Sequence, residues 1–171
     1  MDTAHTNATI VSYLEVSSIE LLRDIGVEFG AAAPSDWLPD TAAIIGFAGD
    51  GVAGSLALST SHSCLTELAK IGSAQMIEDW LGELSNQLLG RVKRRFAPHG
   101  ASFSLGTPVV ITGDHLRLTR SMKVKNTLTV SLEAPIGRVE VWIEVEFRGG
   151  FEFSEQTHDD GSLIEGEALL F

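Results

Sequence analysis

The sequence predicts an α+β fold in which an antiparallel sheet packs against long helices. Three observations predict it. Two apolar runs flank Asp50-Gly51, a strong hairpin signal. An uninterrupted amphipathic stretch of helical period runs from Ala74 to Phe96. The segment RVEVWIEVEF, Arg138 to Phe147, alternates apolar and charged residues at the period of a strand with one buried face.

In chain order, Ile10 to Val27 carries Val11, Leu14, Ile19, Leu22 and Ile25 at mostly helical spacing, weakened by Val16 and Ser17-Ser18, and is read as the first helix. The stretch from Gly30 to Pro39, rich in Ala, Pro, Ser and Asp, leads into the runs TAAIIGFAG and GSLALST, two antiparallel strands about the Asp50-Gly51 turn. Ser61 caps a short helix reaching Lys70, and Gly72-Ser73 separates it from the long one. Pro98 and Gly100 stop the long helix. Strands are then expected over 102–105, 109–112, 115–119, 127–133 and 138–147. RVEVWIEVEF could serve as a protected sheet edge or as a sheet surface. Residues 1–147 form the expected domain, and the acidic stretch 148–171 reads as a flexible tail.

Composition narrows function. A chain of 171 residues, 44% apolar, buries one core. Its formal charge of −11 disfavours nucleic acid and anionic membranes as partners. The opening residues lack the basic start and apolar run of a signal peptide, and no apolar stretch is long enough to span a bilayer, so a cytoplasmic protein is expected. The single cysteine, Cys64, has no partner for an internal disulfide or thiolate metal site and reads as a buried or idle thiol. His62, His99 and His115 lack paired zinc-ligand spacing. Gly49-Asp50-Gly51 and Gly54 lack the ending of a phosphate loop and fit a turn.

On a helical wheel Ile77, Leu81, Leu84, Leu88 and Val92 form the core stripe of the long helix. Asp79, Glu83, Asn86 and Gly90 recur at the same spacing, displaced by about 200°. Glu83 and Asn86 therefore present a carboxylate and a carboxamide side by side on a face open to a partner. Gly90 costs a helix interior about 1 kcal/mol relative to alanine, which close approach of another surface would explain. Glu and Asn at this spacing are common by chance, so the pair alone specifies no function. Arg91, Lys93, Arg94 and Arg95 suit the helix C-terminus through the macrodipole, and Arg94 could also steer an acidic partner.

Asp79, Glu83, Asn86 and Pro108 stand at spacings that resemble the signature of the chemotaxis phosphatases CheC and CheX, and IIGFAGDGVAGSLALST and GTPVVITGDHL resemble that family's first hairpin and the segment after its helix. The resemblance covers about residues 8 to 147. It implies a fold of pseudo-repeated helix-plus-hairpin halves and an aspartyl-phosphate phosphatase acting on a phosphorylated, CheY-like response-regulator receiver domain, in two-component or chemotaxis signalling. It further implies that Asn86 positions the attacking water and that Glu83 pairs with the receiver's active-site lysine. Mg2+ would come with the receiver, this chain needing no cofactor of its own. Gly90 reads as a clearance position, and Asp79 as either a rim contact or a solvated carboxylate. The first helix shows no asparagine after Glu15 or Glu20, implying a single site. A non-catalytic receiver-binding module is the alternative, and the family suggests a homodimer through joined sheets.

Overall fold

The computed structural model describes residues 3–70, 73–117, 126–151 and 153. The order is α1 (Thr3–Asp24), β1 (Gly30–Ala31), β2 (Thr41–Ala48), β3 (Val52–Thr60), α2 (His62–Ala69), α3 (Ala74–Phe96), β4 (Ser104–Leu105), β5 (Val109–Thr112), β6 (Asn126–Ala134) and β7 (Gly137–Phe147). The strands form one antiparallel sheet in the order β1-β6-β7-β3-β2-β4, with β5 also on β2. The fold is α+β, as the sequence predicts. The core lies between this sheet and the paired helices α1 and α3, filled by Ile10, Leu14, Ile45, Leu56, Leu81, Leu88, Leu89, Phe96, Val141 and Ile143 among others.

β7 lies between β3 and β6, so RVEVWIEVEF is a sheet surface and not an edge. Val139, Val141, Ile143 and Val145 are buried on its helix side. The edges are short instead: β1 on one flank, and on the other β4 and β5, which share β2 across a break where Gly106 donates to the Gly46 carbonyl at 2.8 Å. Short interrupted edges resist pairing with other chains.

α1 starts at Thr3, earlier than the Ile10 expected from apolar periodicity, because the residue its first turns bury is the polar Thr6, which an apolar pattern does not register. The serines that weaken its pattern are buried too, and each is satisfied: Ser18 Oγ donates to the Leu14 carbonyl at 2.7 Å, and Ser17 Oγ accepts from Arg95 Nε at 3.1 Å. Salt bridges from Arg91 to Asp24 at 2.6 Å and from Arg95 to Glu20 at 2.8 Å run in opposite chain directions, so α1 and α3 are antiparallel.

The expected strand at 115–119 is corrected. Asp114 and His115 form a turn, with His115 at φ 56°, and the chain is pinned back by Gly113 N donating to the Asp40 carbonyl and Leu116 N to the Pro39 carbonyl, at 2.9 and 2.8 Å. Residues 118 and 119 lie outside the described residues. Beyond β7 the chain does not leave the core at once: Phe151 stacks on Phe147, and Phe153 is buried against Phe96 and His99. The expected flexible tail otherwise falls on residues 154–171, outside those described.

Two halves repeat. Gly26 and Gly100, both at positive φ, β1 and β4, and Pro34 and Pro108 are each separated by the same 74 positions. Each half supplies a helix, a short edge strand and a hairpin, and each helix packs on the other half's strands, α1 on β6 and α3 on β2.

Candidate functional site

α3 is built as its sequence dictates. Ser73 caps it, its Oγ accepting from Met76 N at 3.4 Å, and at the far end a 3-10 turn, Ala97–His99, closes on Gly100 in the left-handed region. Ile77, Leu81, Leu84, Leu88 and Val92 are all buried, together with Leu89. The opposite face therefore points outward. Asp79 and Glu83 are exposed, and Asn86 and Gly90 are half-buried.

Glu83 Oε1 accepts from Gln87 Nε2 at 3.0 Å, and Asp79 Oδ1 accepts from Gln75 Nε2 at 3.1 Å. Such i, i+4 bonds along one helix hold the carboxylates in place without neutralising them. The Asn86 carboxamide has no hydrogen-bond partner among the described residues. A groove of about 330 Å³ runs beside these groups, lined by Gln75, Glu78, Asp79, Gly82, Glu83, Asn86, Pro108 and Val110. Its floor is made by β5 and the preceding proline lying against α3 at Gly82, which is buried. Among the described residues three carboxylates and no basic side chain line it, so a cation is the charge it would welcome. At Gly90 an added Cβ would meet nothing within 4 Å. Pro108, Asp79, Glu83 and Asn86 are thus brought to one surface, with Gly90 further along the same helix.

The groove lies in the β2 to β6 region of the chain, and residues 41–131 match the family model described as Chemotaxis phosphatase CheX. The chain belongs to the CheX family. Among solved structures, a chemotaxis protein CheX from Vibrio vulnificus is similar at TM-score 0.73 and 21% identity, covering 80% of this chain and 96% of that one. A CheC-like superfamily protein from Shewanella matches at TM-score 0.71 and 18% identity over 85% and 99% of the two chains. A CheX in complex with CheY, BeF3 and Mg2+ from Borrelia burgdorferi matches at TM-score 0.65 and 18% identity over 80% and 97%. At these identities the likeness establishes a CheX/CheC fold. No curated protein matches the sequence.

Within the CheX fold the repeat of 74 positions identifies the counterparts of Glu83 and Asn86 on α1 as Thr9 and Ser12. These differ from Glu15 and Glu20, the positions compared from sequence alone; the paired glycines and prolines are the signal that sets the register. Neither counterpart carries a carboxylate or a carboxamide; Thr9 Oγ1 donates to the His5 carbonyl within its own helix at 3.1 Å.

The remaining sequence candidates separate. His62 opens α2, its backbone N donating to Asp40 Oδ1 at 2.6 Å. His99 is buried beside Tyr13, its Nε2 2.8 Å from the Tyr13 hydroxyl, and His115 sits in the turn after β5. Among the described residues no group of three or more His, Cys, Asp or Glu side chains could hold a metal ion, and no helix is long and apolar enough to cross a membrane. Cys64 is buried, and desolvation pushes its thiol pKa up against a smaller lowering by a Thr60 hydrogen bond. Gly49, Asp50 and Gly51 form the β2–β3 turn, where a Cβ on Gly49 would meet the Ser102 carbonyl oxygen at 1.9 Å.

Proposed function

We propose that this chain is a phosphatase for the aspartyl phosphate of a response-regulator receiver domain, with Glu83 and Asn86 as its catalytic residues. The observation that carries the proposal is the joint presentation of an exposed carboxylate and a carboxamide with no partner among the described residues, one helical turn apart, beside an open acidic groove. Membership of the CheX family supports it.

An aspartyl phosphate is an activated acyl phosphate, so catalysis needs mainly a positioned water and matched charge. Asn86 carries both a donor and an acceptor and no charge. It orients a water in line with phosphorus without repelling the phosphoryl oxygens. Attack by water forms a new P–O bond as the bond to the aspartate oxygen breaks, releasing inorganic phosphate and the free carboxylate. Glu83, in a groove that the described residues line with carboxylates, pairs with the lysine of the receiver's own site and so docks it in register. Asp79 contacts the receiver at the groove rim. The divalent ion that neutralises the phosphoryl oxygens travels with the receiver, whose acidic cluster holds it.

The test is the decay of a phosphorylated receiver domain with and without this protein and its Asn86→Ala and Glu83→Ala variants. Each variant is expected to lose on the order of a hundredfold in rate, as other positioned polar groups in active sites do. Binding of the phosphorylated receiver with unchanged decay would identify a non-catalytic binding module instead.

A further inference from the structure

The basic cluster at the end of α3 divides in the structure. Arg95 spans Glu20 and Ser17, and Arg91 reaches Asp24, so both guanidinium groups are committed to holding α1 against α3. Lys93 turns the other way, its Nζ 5.9 Å from the centre of the Phe103 ring. Arg94 is exposed and makes no ion pair among the described residues.

Eleven residues separate Glu83 from Arg94, which at 100° per residue sets Arg94 within about 20° of Glu83 around the helix and about 16 Å along it. Gly90 lies between them on nearly the same line, with nothing among the described residues within 4 Å of where its Cβ would stand. The outward ridge of α3 is therefore dipolar: carboxylates at one end, a guanidinium at the other, and a gap in the middle that lets a partner's backbone come close.

We infer that Arg94 is a positioning residue that fixes which way round the partner docks, by meeting a carboxylate on the receiver about 16 Å from the lysine that Glu83 takes. This rests on the receiver-binding reading above. The reversed orientation would set Arg94 against the receiver's lysine and Glu83 against its carboxylate, two repulsions in place of two attractions. At that distance Arg94 does not touch the reacting atoms. Its contribution belongs to encounter, where a rim charge acts on association rate and is screened by salt. The macrodipole alone would account for its place in the last turns of the helix, but that role acts on stability and not on encounter.

The experiment is stopped-flow association with a receiver domain loaded with beryllofluoride and Mg2+, a stand-in for the phosphorylated aspartate, comparing the native chain with Arg94→Gln, Arg94→Glu and Arg94→Lys at low and high salt. The expected result is an association rate lowered about tenfold by Arg94→Glu at low salt, less by Arg94→Gln, largely restored by Arg94→Lys, and nearly equal for all at high salt. Single-turnover decay of the bound phosphoreceiver stays unchanged. If the native chain binds the receiver and Arg94→Glu associates as fast, the inference is overturned while the receiver reading stands. If Arg94→Glu lowers only the melting temperature, the side chain serves the macrodipole and the inference is likewise overturned. If the native chain neither binds the receiver nor speeds its decay, the receiver reading itself fails and the inference falls with it.

Discussion

Pro108 rests against the α3 backbone at Gly82, where an added Cβ would stand 3.5 Å from the proline Cγ. This contact joins the edge-strand floor of the groove to the helix that carries Glu83 and Asn86. A distance of 3.5 Å is ordinary van der Waals contact, so Gly82→Ala should be accepted and should gain up to about 1 kcal/mol of helix propensity. A branched side chain cannot be accepted without pushing Pro108 away. Gly82→Val is therefore expected to keep the fold but lower receiver dephosphorylation by at least about tenfold, since displacements of an ångström at a positioned site are costly. Equal rates for the two variants would show that the groove floor does not matter.

Gly90 separates stability from function. With nothing within 4 Å of its would-be Cβ, no contact among the described residues requires a glycine there. Gly90→Ala should raise stability by about 1 kcal/mol, or roughly 2–4 °C in the thermal midpoint. If a docked partner needs that space, the same variant binds the receiver less tightly. A gain in both stability and affinity would remove the clearance role.

Much of this was legible in the sequence. α3 runs over the residues expected, because Ser73 and Pro98 punctuate it and five apolar residues mark its buried face. The outward face of Asp79 and Glu83 follows from the same wheel. What was not legible depends on tertiary partners. The early turns of α1 read as polar because Thr6 is a buried polar residue, and further along Ser17 and Ser18 are buried too, satisfied across the helix pair and within the helix. The turn at His115 is held by carbonyls of Pro39 and Asp40, some 75 residues away, and no local signal encodes that. The ion pairs from Arg91 and Arg95 to α1 explain half of a basic cluster whose sequence offers only the macrodipole or steering as reasons.

Cys64 should make stability fall in alkaline solution. Its thiol is buried against Gly137, where a Cβ would come within 2.7 Å of the Cys64 Cβ, and desolvation raises its pKa. The unfolded chain therefore releases this proton at lower pH than the folded one. The resulting stabilisation is complete below the unfolded pKa and is lost as pH rises from there through the folded pKa. Urea midpoints of the native chain are expected to drop over that alkaline window by more than those of Cys64→Ala. Alkylation of Cys64 should be slow until the chain unfolds. Rapid labelling of the folded chain at neutral pH would contradict both statements.

The burial of Phe153 leads us to expect the domain's working boundary beyond Phe147, and Phe153 makes this testable. Its ring stacks on His99 with centroids 4.0 Å apart and meets Phe96 edge-on at 5.1 Å, leaving Phe153 8% exposed. Phe96 and His99 sit at the end of α3, so the segment after β7 closes the core beneath the helix that carries the candidate site. Removing a buried phenylalanine side chain typically costs about 3–5 kcal/mol, and the lower end is expected here because the site is at the edge of the core. Phe153→Ala should then lower the thermal midpoint by several degrees. A chain ending at residue 147 should lose at least as much, since it also gives up the stacking of Phe151 on Phe147. If the chain cut at 147 melts like the full chain, Phe153 adds nothing to the core and the domain ends with β7.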